Sequence, residues 1–584
     1  MKVGVSQLPT RLAFSHALAL PPVATVAIPN RRHPFVFDTQ SQTPIRFSAK
    51  AAMKVGVSQL PTRLAFSHAE LGLGAPGNTH PIPDTHFYLR QVGDKSECPA
   101  PSSRLSAIPN CSCMKPEPLL AALWLLLTFN PGAQARAPIT LHAENPHYFQ
   151  WRGQPVMIVS SGEHYGAVIN RAFDYHRYLE TLAADGLNYT RIFSGAYVEP
   201  EGAFNIERNT LAPTPDQFLC PWARSTEPGT AMGGNKFDLK QWDAGYFARL
   251  KDFVATASKK GVIVEVTLFC PMYEEMQWKI SPMNAANNVN AVGAVDKHAV
   301  HTLDRSGGLL PLQEAMVRKL VTELNPMDNV IFEICNEPYF GGVTMEWQHR
   351  IADVIVETER DLPNRHLIAQ NMANKTAKIE NPHPAVSVFN FHYATPPDAV
   401  AENEALNKVI GDDETGFNGN DDRVYRTEAW DFILAGGGLF NHLDYSFVVG
   451  QEDGSFAYPK TQPGGGSAAF RKQMKVLREF MTGFDFIRMK PDPSVIQGGI
   501  PEGGTARALV EPGKAIALYL QSGKTAATAL RIELPQGSWV AEWVNPLSGA
   551  ISAKEELQGG AVREIKVPAY EHDIALRITS GRPE

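Results

Sequence analysis

Cysteine is scarce in this chain and badly spaced for a metal. There are six in 584 residues: Cys98, Cys111, Cys113, Cys220, Cys270 and Cys335. Cys111-Ser112-Cys113 is too tight for a zinc knuckle and has no second pair downstream, so a structural zinc module is excluded. Cys270 and Cys335 fall near the ends of apolar runs and read as buried thiols; a bond between them is left open by sequence. Basic charge is also short, with 54 Lys+Arg against 61 Asp+Glu, a net charge of -7. No basic run or stripe stands out, which argues against a nucleic-acid partner. Neither His-Glu-x-x-His nor Gly-x-Ser-x-Gly occurs, so zinc-peptidase and serine-hydrolase chemistry find no support. No metal and no cofactor are expected. The oligomeric state is not legible.

The first hundred residues lack periodicity. The seventeen letters of Met1–Ala17 recur at Met53–Ala69 among Pro, Ser and Arg, which does not resemble a folded repeat. From Met114 the pattern changes: Lys115, an apolar core Leu119–Phe129, then Ala133-Gln134-Ala135. This is the layout of a secretory signal peptide with an A-x-A cleavage site, and its apolar core is too short to span a bilayer. Residues 1–113 are therefore expected to be an upstream or disordered extension and 114–135 a signal peptide. The mature chain is expected to work in a secreted or periplasmic setting without a membrane span.

Residues 136–488 alternate buried strand candidates with amphipathic helices. The strands are Pro155–Gly162, Leu187–Ser194, Val262–Phe269, Asn329–Glu337, His366–Gln370, Val386–His392, Lys408–Asp412 and Leu439–Phe447. Eight strands alternating with helices predict an α/β fold, a (β/α)8 TIM barrel. The surplus length falls in two loops, 196–241 and 271–308, carrying Tyr197, Phe204, Trp222, Tyr273 and Trp278. Such long loops in a compact domain suit an aromatic-lined cleft. Residues 489–584 change to short alternating strands separated by Gly, Pro and Asn, the texture of a small antiparallel β-sandwich.

The richest stretch is Val330-Ile331-Phe332-Glu333-Ile334-Cys335-Asn336-Glu337-Pro338. An apolar run buried on both faces is stopped by a proline that cannot donate to a ladder. Asn336 and Glu337 are thus left at the strand's C-terminal end, the face where barrels do chemistry. The same logic brings Glu163 and His164 (first strand), Arg191 (second), His392 and Tyr393 (sixth), Glu414 (after the seventh) and Asp444 (eighth) to one mouth, with Trp278 in a loop above. Two carboxylates facing each other amid Arg, His, Tyr and aromatics suit glycosidic bond cleavage. Glu333 reads as an internal carboxylate that needs a partner.

These segments resemble clan A glycoside hydrolases, including the family 5 cellulase-like enzymes. Asn336-Glu337-Pro338 and Glu414-Thr415-Gly416 look like the clan's two catalytic segments, and Asn188-Tyr189-Thr190-Arg191 matches its Asn-x-x-Arg. The turn Trp543-Val544-Asn545-Pro546-Leu547-Ser548-Gly549 after a barrel also resembles the apiosidase-like family, with a collagen-binding-like C-terminal module. The resemblance implies Glu337 as general acid/base, Glu414 as nucleophile, and retention of configuration on a plant- or microbe-derived oligo- or polysaccharide. It implies carboxyl groups about 5–5.5 Å apart. Family 5 has His-x-Tyr on strand six, whereas here His392 and Tyr393 are adjacent; a regular strand would aim them at opposite faces, and Tyr393 is taken as the one that reaches Glu414. The run Asp412-Asp413-Glu414 leaves the nucleophile's register open by one residue. A catalytically silent carbohydrate-binding barrel is the alternative.

Overall fold

The computed structural model describes residues 136–581. The expected extension (1–113) and signal peptide (114–135) lie outside the described residues.

Eight parallel strands form one sheet: β1 (Ile158–Gly162), β2 (Tyr189–Phe193), β3 (Ile263–Phe269), β4 (Val330–Cys335), β5 (Leu367–Asn374), β6 (Val386–His392), β7 (Val409–Thr415) and β8 (Leu439–Leu443). The ladder runs β1-β8-β7-β6-β5-β4-β3-β2. Its two ends are tied by Asn188, whose amide accepts from Val159 N–H at 3.2 Å and donates to the Met157 carbonyl at 2.9 Å. Helices cover the outside, among them α1 (Tyr175–Ala184), α2 (Ala244–Lys260), α3 (Leu310–Leu324), α4 (Met345–Glu359), α5 (Asp398–Asn403), α6 (Asp422–Leu434) and α7 (Ala468–Thr482). Local sequence sets their ends: Asp243 caps α2 by accepting from Tyr246 N–H, and Gly261 ends it at φ 76°, where a side chain would be strained.

The barrel floor is apolar. Ile158, Tyr189, Ile263, Ile331, Val388, Val409 and Leu439 pack with Ile139, Phe149 and Trp151. The last three belong to a three-stranded antiparallel sheet (Thr140–Leu141, Phe149–Trp151, Gln154–Val156) and its approach, which plug the N-terminal end. Pro155–Gly162 is therefore two strands, a hairpin arm and β1, because the chain turns from plug to barrel between Val156 and Ile158. Above the floor the interior turns polar: Glu265 (β3), Glu333 (β4), Asn390 (β6) and Asp413 (β7) surround Arg191 (β2), all essentially buried.

An irregularity of β7 shapes the mouth of the barrel. On β7 the pairs Asp412↔Phe440 and Thr415↔His442 leave Asp413 and Glu414 opposite a single β8 residue, a bulge. The seventh strand thus runs past Asp412 to Thr415, and the eighth stops at Leu443, short of Phe447. The same bulge shows against β6, where the consecutive Phe391 and His392 pair with Asp412 and Glu414.

The long loop after β2 contains an antiparallel ribbon, Trp222–Pro228 with Asn235–Trp242. Cys220, Cys270 and Cys335 are free and buried. Beyond the barrel, a six-stranded and a three-stranded antiparallel sheet enclose an apolar core that includes Leu518, Ile532, Trp539, Trp543 and Leu576. One edge of the larger sheet is the strand Ile551–Gln558, rich in Ser, Lys and Glu. Arg426 of α6 grips Asp573 of this sandwich at 2.7 and 3.0 Å, and Trp430 stacks on Tyr519.

Candidate active site

Glu337 ends β4 in a left-handed conformation (φ 34°, ψ 52°), and the following Pro338 opens a short 3-10 turn. Tyr165 (φ 60°) and Tyr393 (φ 53°), just past β1 and β6, are left-handed too. Backbone held in this region costs roughly 1–3 kcal/mol per residue and persists only where the surroundings fix it. All three side chains converge on one place.

Glu414 accepts from Tyr165 Oη at 2.8 Å and Arg191 Nη1 at 3.2 Å on one oxygen, and from Tyr393 Oη at 2.9 Å on the other. Glu337 accepts from Tyr273 Oη at 2.7 Å, with Tyr339 Oη 3.3 Å from its other oxygen. His392 stands between them: Nδ1 is 3.1 Å from Glu337 Oε1 and 3.5 Å from Glu414 Oε1, and Nε2 is 3.4 Å from Asp413 Oδ1. One oxygen of each glutamate and a ring nitrogen of His392 lie within 4.8 Å of one another. That spacing would also admit a cation, but these carboxylate oxygens already face O–H and N–H donors, which a metal ion would have to displace.

Burial works against a charged His392, yet Glu414 and Asp413 outweigh it and hold the imidazole well above its ordinary value. Burial likewise opposes charge on Asp413, and Arg191 and His392 overcome it, so Asp413 stays below the usual carboxylate range. Beneath, oxygens of Glu265, Glu333 and Asp413 approach within 4.8 Å. Burial, and then the charges of Glu333 and Asp413, push Glu265 well above the carboxylate range. Burial also raises Glu333, against Arg191, which donates to it through both Nε and Nη2. Thr267 adds a third donor at 2.6 Å. Arg191 Nη2 further donates to Asn336 Oδ1 at 2.7 Å, while Asn336 Nδ2 donates to Tyr273 Oη at 2.7 Å. One guanidinium thus serves three carboxylates and an amide.

The structure brings Glu337, Glu414, Arg191, Asn336, His392 and Tyr393 together. His392 and Tyr393 both reach Glu414, contrary to the expectation that only one would, because the left-handed Tyr393 breaks the strand's alternation. Through the β7 bulge Asp413 and Glu414 both face the interior, while Asp412 accepts from Ala394 N–H at 3.3 Å.

Other expected contacts are taken up elsewhere. Both Glu163 oxygens are occupied by Gly166 and Ala167 N–H and the Thr210 hydroxyl, so Glu163 braces the loop after β1 instead of facing the mouth. Asp444 accepts from Arg471 at 2.7 Å and from Ser446 and Ser161, which locks β8 to α7. Trp278 is buried and donates to the Val295 carbonyl at 3.0 Å, a plug within its loop. His164 lines the wall between Tyr165 and Tyr445, 3.4 Å from Glu199. Sequence reasoning misses Tyr165 and Asp413. Tyr165 directly follows Glu163-His164, but a left-handed φ leaves no periodic signal. The rim is aromatic, with Phe204 packed on Tyr273 and Phe417, and Tyr393 on Phe417.

Residues 172–430 match the model of the cellulase family, glycosyl hydrolase family 5. The chain carries a family 5 glycoside hydrolase domain. That match takes in both Glu337 and Glu414. Among solved structures, a family 5 glycoside hydrolase from Bacteroides vulgatus ATCC 8482 is similar at 14% identity and TM-score 0.52, over 76% of this chain and 93% of that one. A second structure, named only as a glycoside hydrolase, is similar at 15% identity and TM-score 0.53, over 77% of this chain and 98% of that one. At such identities the likeness speaks for the fold. No curated protein matches the chain. A family 5 domain acts on glycosidic bonds, so this protein is a glycoside hydrolase. Among the described residues no helix is long and apolar enough to cross a membrane.

Proposed function

We propose that the protein cleaves O-glycosidic bonds with retention of configuration, with Glu337 as general acid/base and Glu414 as nucleophile. The observation that carries this reading is that one oxygen of each carboxylate lies within 4.8 Å of an oxygen of the other. An inverting pair stands roughly 6.5–9.5 Å apart to hold a water, whereas a retaining pair is about 5–5.5 Å apart. In the first step Glu337 protonates the glycosidic oxygen, the C1–O bond breaks, and a Glu414 oxygen bonds C1. In the second, Glu337 takes a proton from water as the water displaces Glu414.

The remaining groups fit these roles. Tyr165, Tyr393 and Arg191 aim donors at Glu414, which orients it for attack. Tyr273 fixes Glu337, and Asn336 is placed to meet a sugar 2-hydroxyl as charge develops at C1. His164, in the wall beside Tyr165, is a further candidate for a sugar hydroxyl. The exposed Phe204 and Phe417 offer faces for sugar rings at the rim. The substrate is an oligo- or polysaccharide of plant or microbial origin, met outside the cytoplasm; the signal-like segment at 114–135 supports that setting.

Glu414→Ala should abolish turnover of an aryl glycoside, and azide should restore it as a glycosyl azide. Glu337→Ala should impair poor leaving groups far more than activated ones, which need no proton. Glu414→Ala with wild-type rates would refute the assignment and favour a barrel that only binds carbohydrate.

A further inference from the structure

Both ring nitrogens of His392 face carboxylate oxygens. Nδ1 has Glu337 at 3.1 Å and Glu414 at 3.5 Å, and Nε2 has Asp413 at 3.4 Å. A neutral imidazole has one N–H and one lone pair, so in that form a lone pair would point at a carboxylate oxygen. Two N–H groups place positive charge toward both sides, through a hydrogen bond at Nδ1 and an ion-pair contact at Nε2 that is not itself a hydrogen bond. The ring is fully buried, so water cannot relieve a mismatch. Asp413 is an acceptor the β7 bulge supplies: without the extra residue, Asp413 and Glu414 could not both face inward.

We propose that Asp413 is a positioning residue that fixes His392 as an imidazolium between the two glutamates, where this one cation serves the negative charge on whichever glutamate carries it. The inference rests on the reading of Glu337 and Glu414 as the catalytic pair. Before reaction Glu414 is the anion and Glu337 holds the proton. After the first step Glu414 is an ester without charge, and Glu337, having given its proton to the leaving oxygen, is the anion. The charge therefore moves from one glutamate to the other. A cation bound to either alone would favour one state and penalise the other. His392 Nδ1 stands at nearly equal distances from the two, 3.1 against 3.5 Å, so it supports both. Arg191 does not share this place, since it contacts Glu414 but not Glu337 among its ion pairs.

The charged groups facing His392 are Glu337 from the end of β4 and Asp412, Asp413 and Glu414 from β7, with the Tyr393 ring beside it on its own strand. Arg191 lies across Asp413 and Glu414 as the nearest other cation. Removing the Asp413 charge takes away the group that faces Nε2 and leaves the pair at Nδ1 in place.

The test is a nitrogen NMR titration of the full chain with 15N-labelled histidine, His392→Gln giving the assignment. Both His392 nitrogens should be protonated at pH 7, with a midpoint above the ordinary value of about 6.5. Asp413→Asn should lower the midpoint by about 1–3 units. The alkaline limb of kcat/KM on an aryl glycoside should move down with it, and kcat should fall more than KM changes. A His392 nitrogen without a proton at pH 7 in the unmodified chain would overturn the proposal. So would an Asp413→Asn variant with unmoved midpoint and limb, as expected of a merely structural carboxylate. Should Asp413→Asn not fold, the spectrum of the unmodified chain decides alone. The spectra need no substrate, so failure of the glycosidase reading, Glu414→Ala with full turnover, is recorded separately.

Discussion

The barrel mouth and the C-terminal sandwich bury their side chains on opposite terms. The sandwich core is a set of aliphatic and tryptophan side chains. Among the described residues past 490, only Glu511 and Asp573 are buried charged groups, and Asp573 faces barrel helix α6 instead of the sandwich interior. The barrel interior gathers Glu265, Glu333, Asp413 and Glu414 around Arg191 and His392. Desolvating ions is expensive, and well-packed hydrophobic residues of similar volume are often at least as stabilising. The contrast teaches that the sandwich is built for cohesion, while the barrel gives up cohesion to hold charge in fixed geometry.

The greatest expected loss comes from breaking the mouth at its hub. Arg191→Met should strand Glu333, Asp413 and Glu414, costing about 3–5 kcal/mol by chemical denaturation together with turnover. Arg191→Lys should not rescue, because a single ammonium cannot reproduce the fork. Retained stability in Arg191→Met would mean that the carboxylates neutralise by protonation and that charge is not what the mouth conserves.

Arg426→Ala tests the other region. It leaves Asp573 buried without its guanidinium, with Tyr519 Oη still donating at 2.9 Å. Stability should fall by about 3 kcal/mol. The pH profile of activity should keep its shape, since the sandwich offers no acid, base or nucleophile to the mouth. A shifted profile would give the sandwich a role in catalysis.

The effect smallest at neutral pH concerns a buried titratable group without a partner among the described residues. His301 packs against Phe269 and Trp347, and burial alone pushes it down to about 3. The unfolded chain takes up this proton below about pH 6.5, while the folded chain resists until about pH 3. Its contribution to stability is therefore complete above the unfolded value and is lost as pH falls toward 3. Melting temperature measured from about pH 7 to about pH 4 should decline less steeply in His301→Phe than in the unmodified chain. Parallel slopes would show that His301 finds a partner when folded.

Legibility from sequence divides along the same line. The eight strands are readable because parallel strands buried on both faces are continuous apolar runs, as in Val262–Phe269 and Val386–His392. Glu337 is readable because Pro338 punctuates its strand end, and Glu414 because Glu414-Thr415-Gly416 resembles a catalytic segment of the clan. The N-terminal plug hides because Val156 and Ile158 read as one strand across the turn between them. Ile551–Gln558 hides because an edge strand of Ser, Lys and Glu has little apolar alternation. Arg191 is legible from its strand end. Its partner Asp413, the joint reach of His392 and Tyr393, and the diversion of Glu163 and Asp444 depend on a bulge, left-handed residues and loop closure, none of which has a periodic signature.

The central claim is a double displacement by Glu337 and Glu414, and the stereochemistry of the product addresses it most directly. Proton NMR of the sugar released from an aryl glycoside, recorded before mutarotation, should show the anomer of the substrate's own configuration. The opposite anomer as first product would contradict the account, since inversion places a water between carboxyl groups whose nearest oxygens here lie within 4.8 Å.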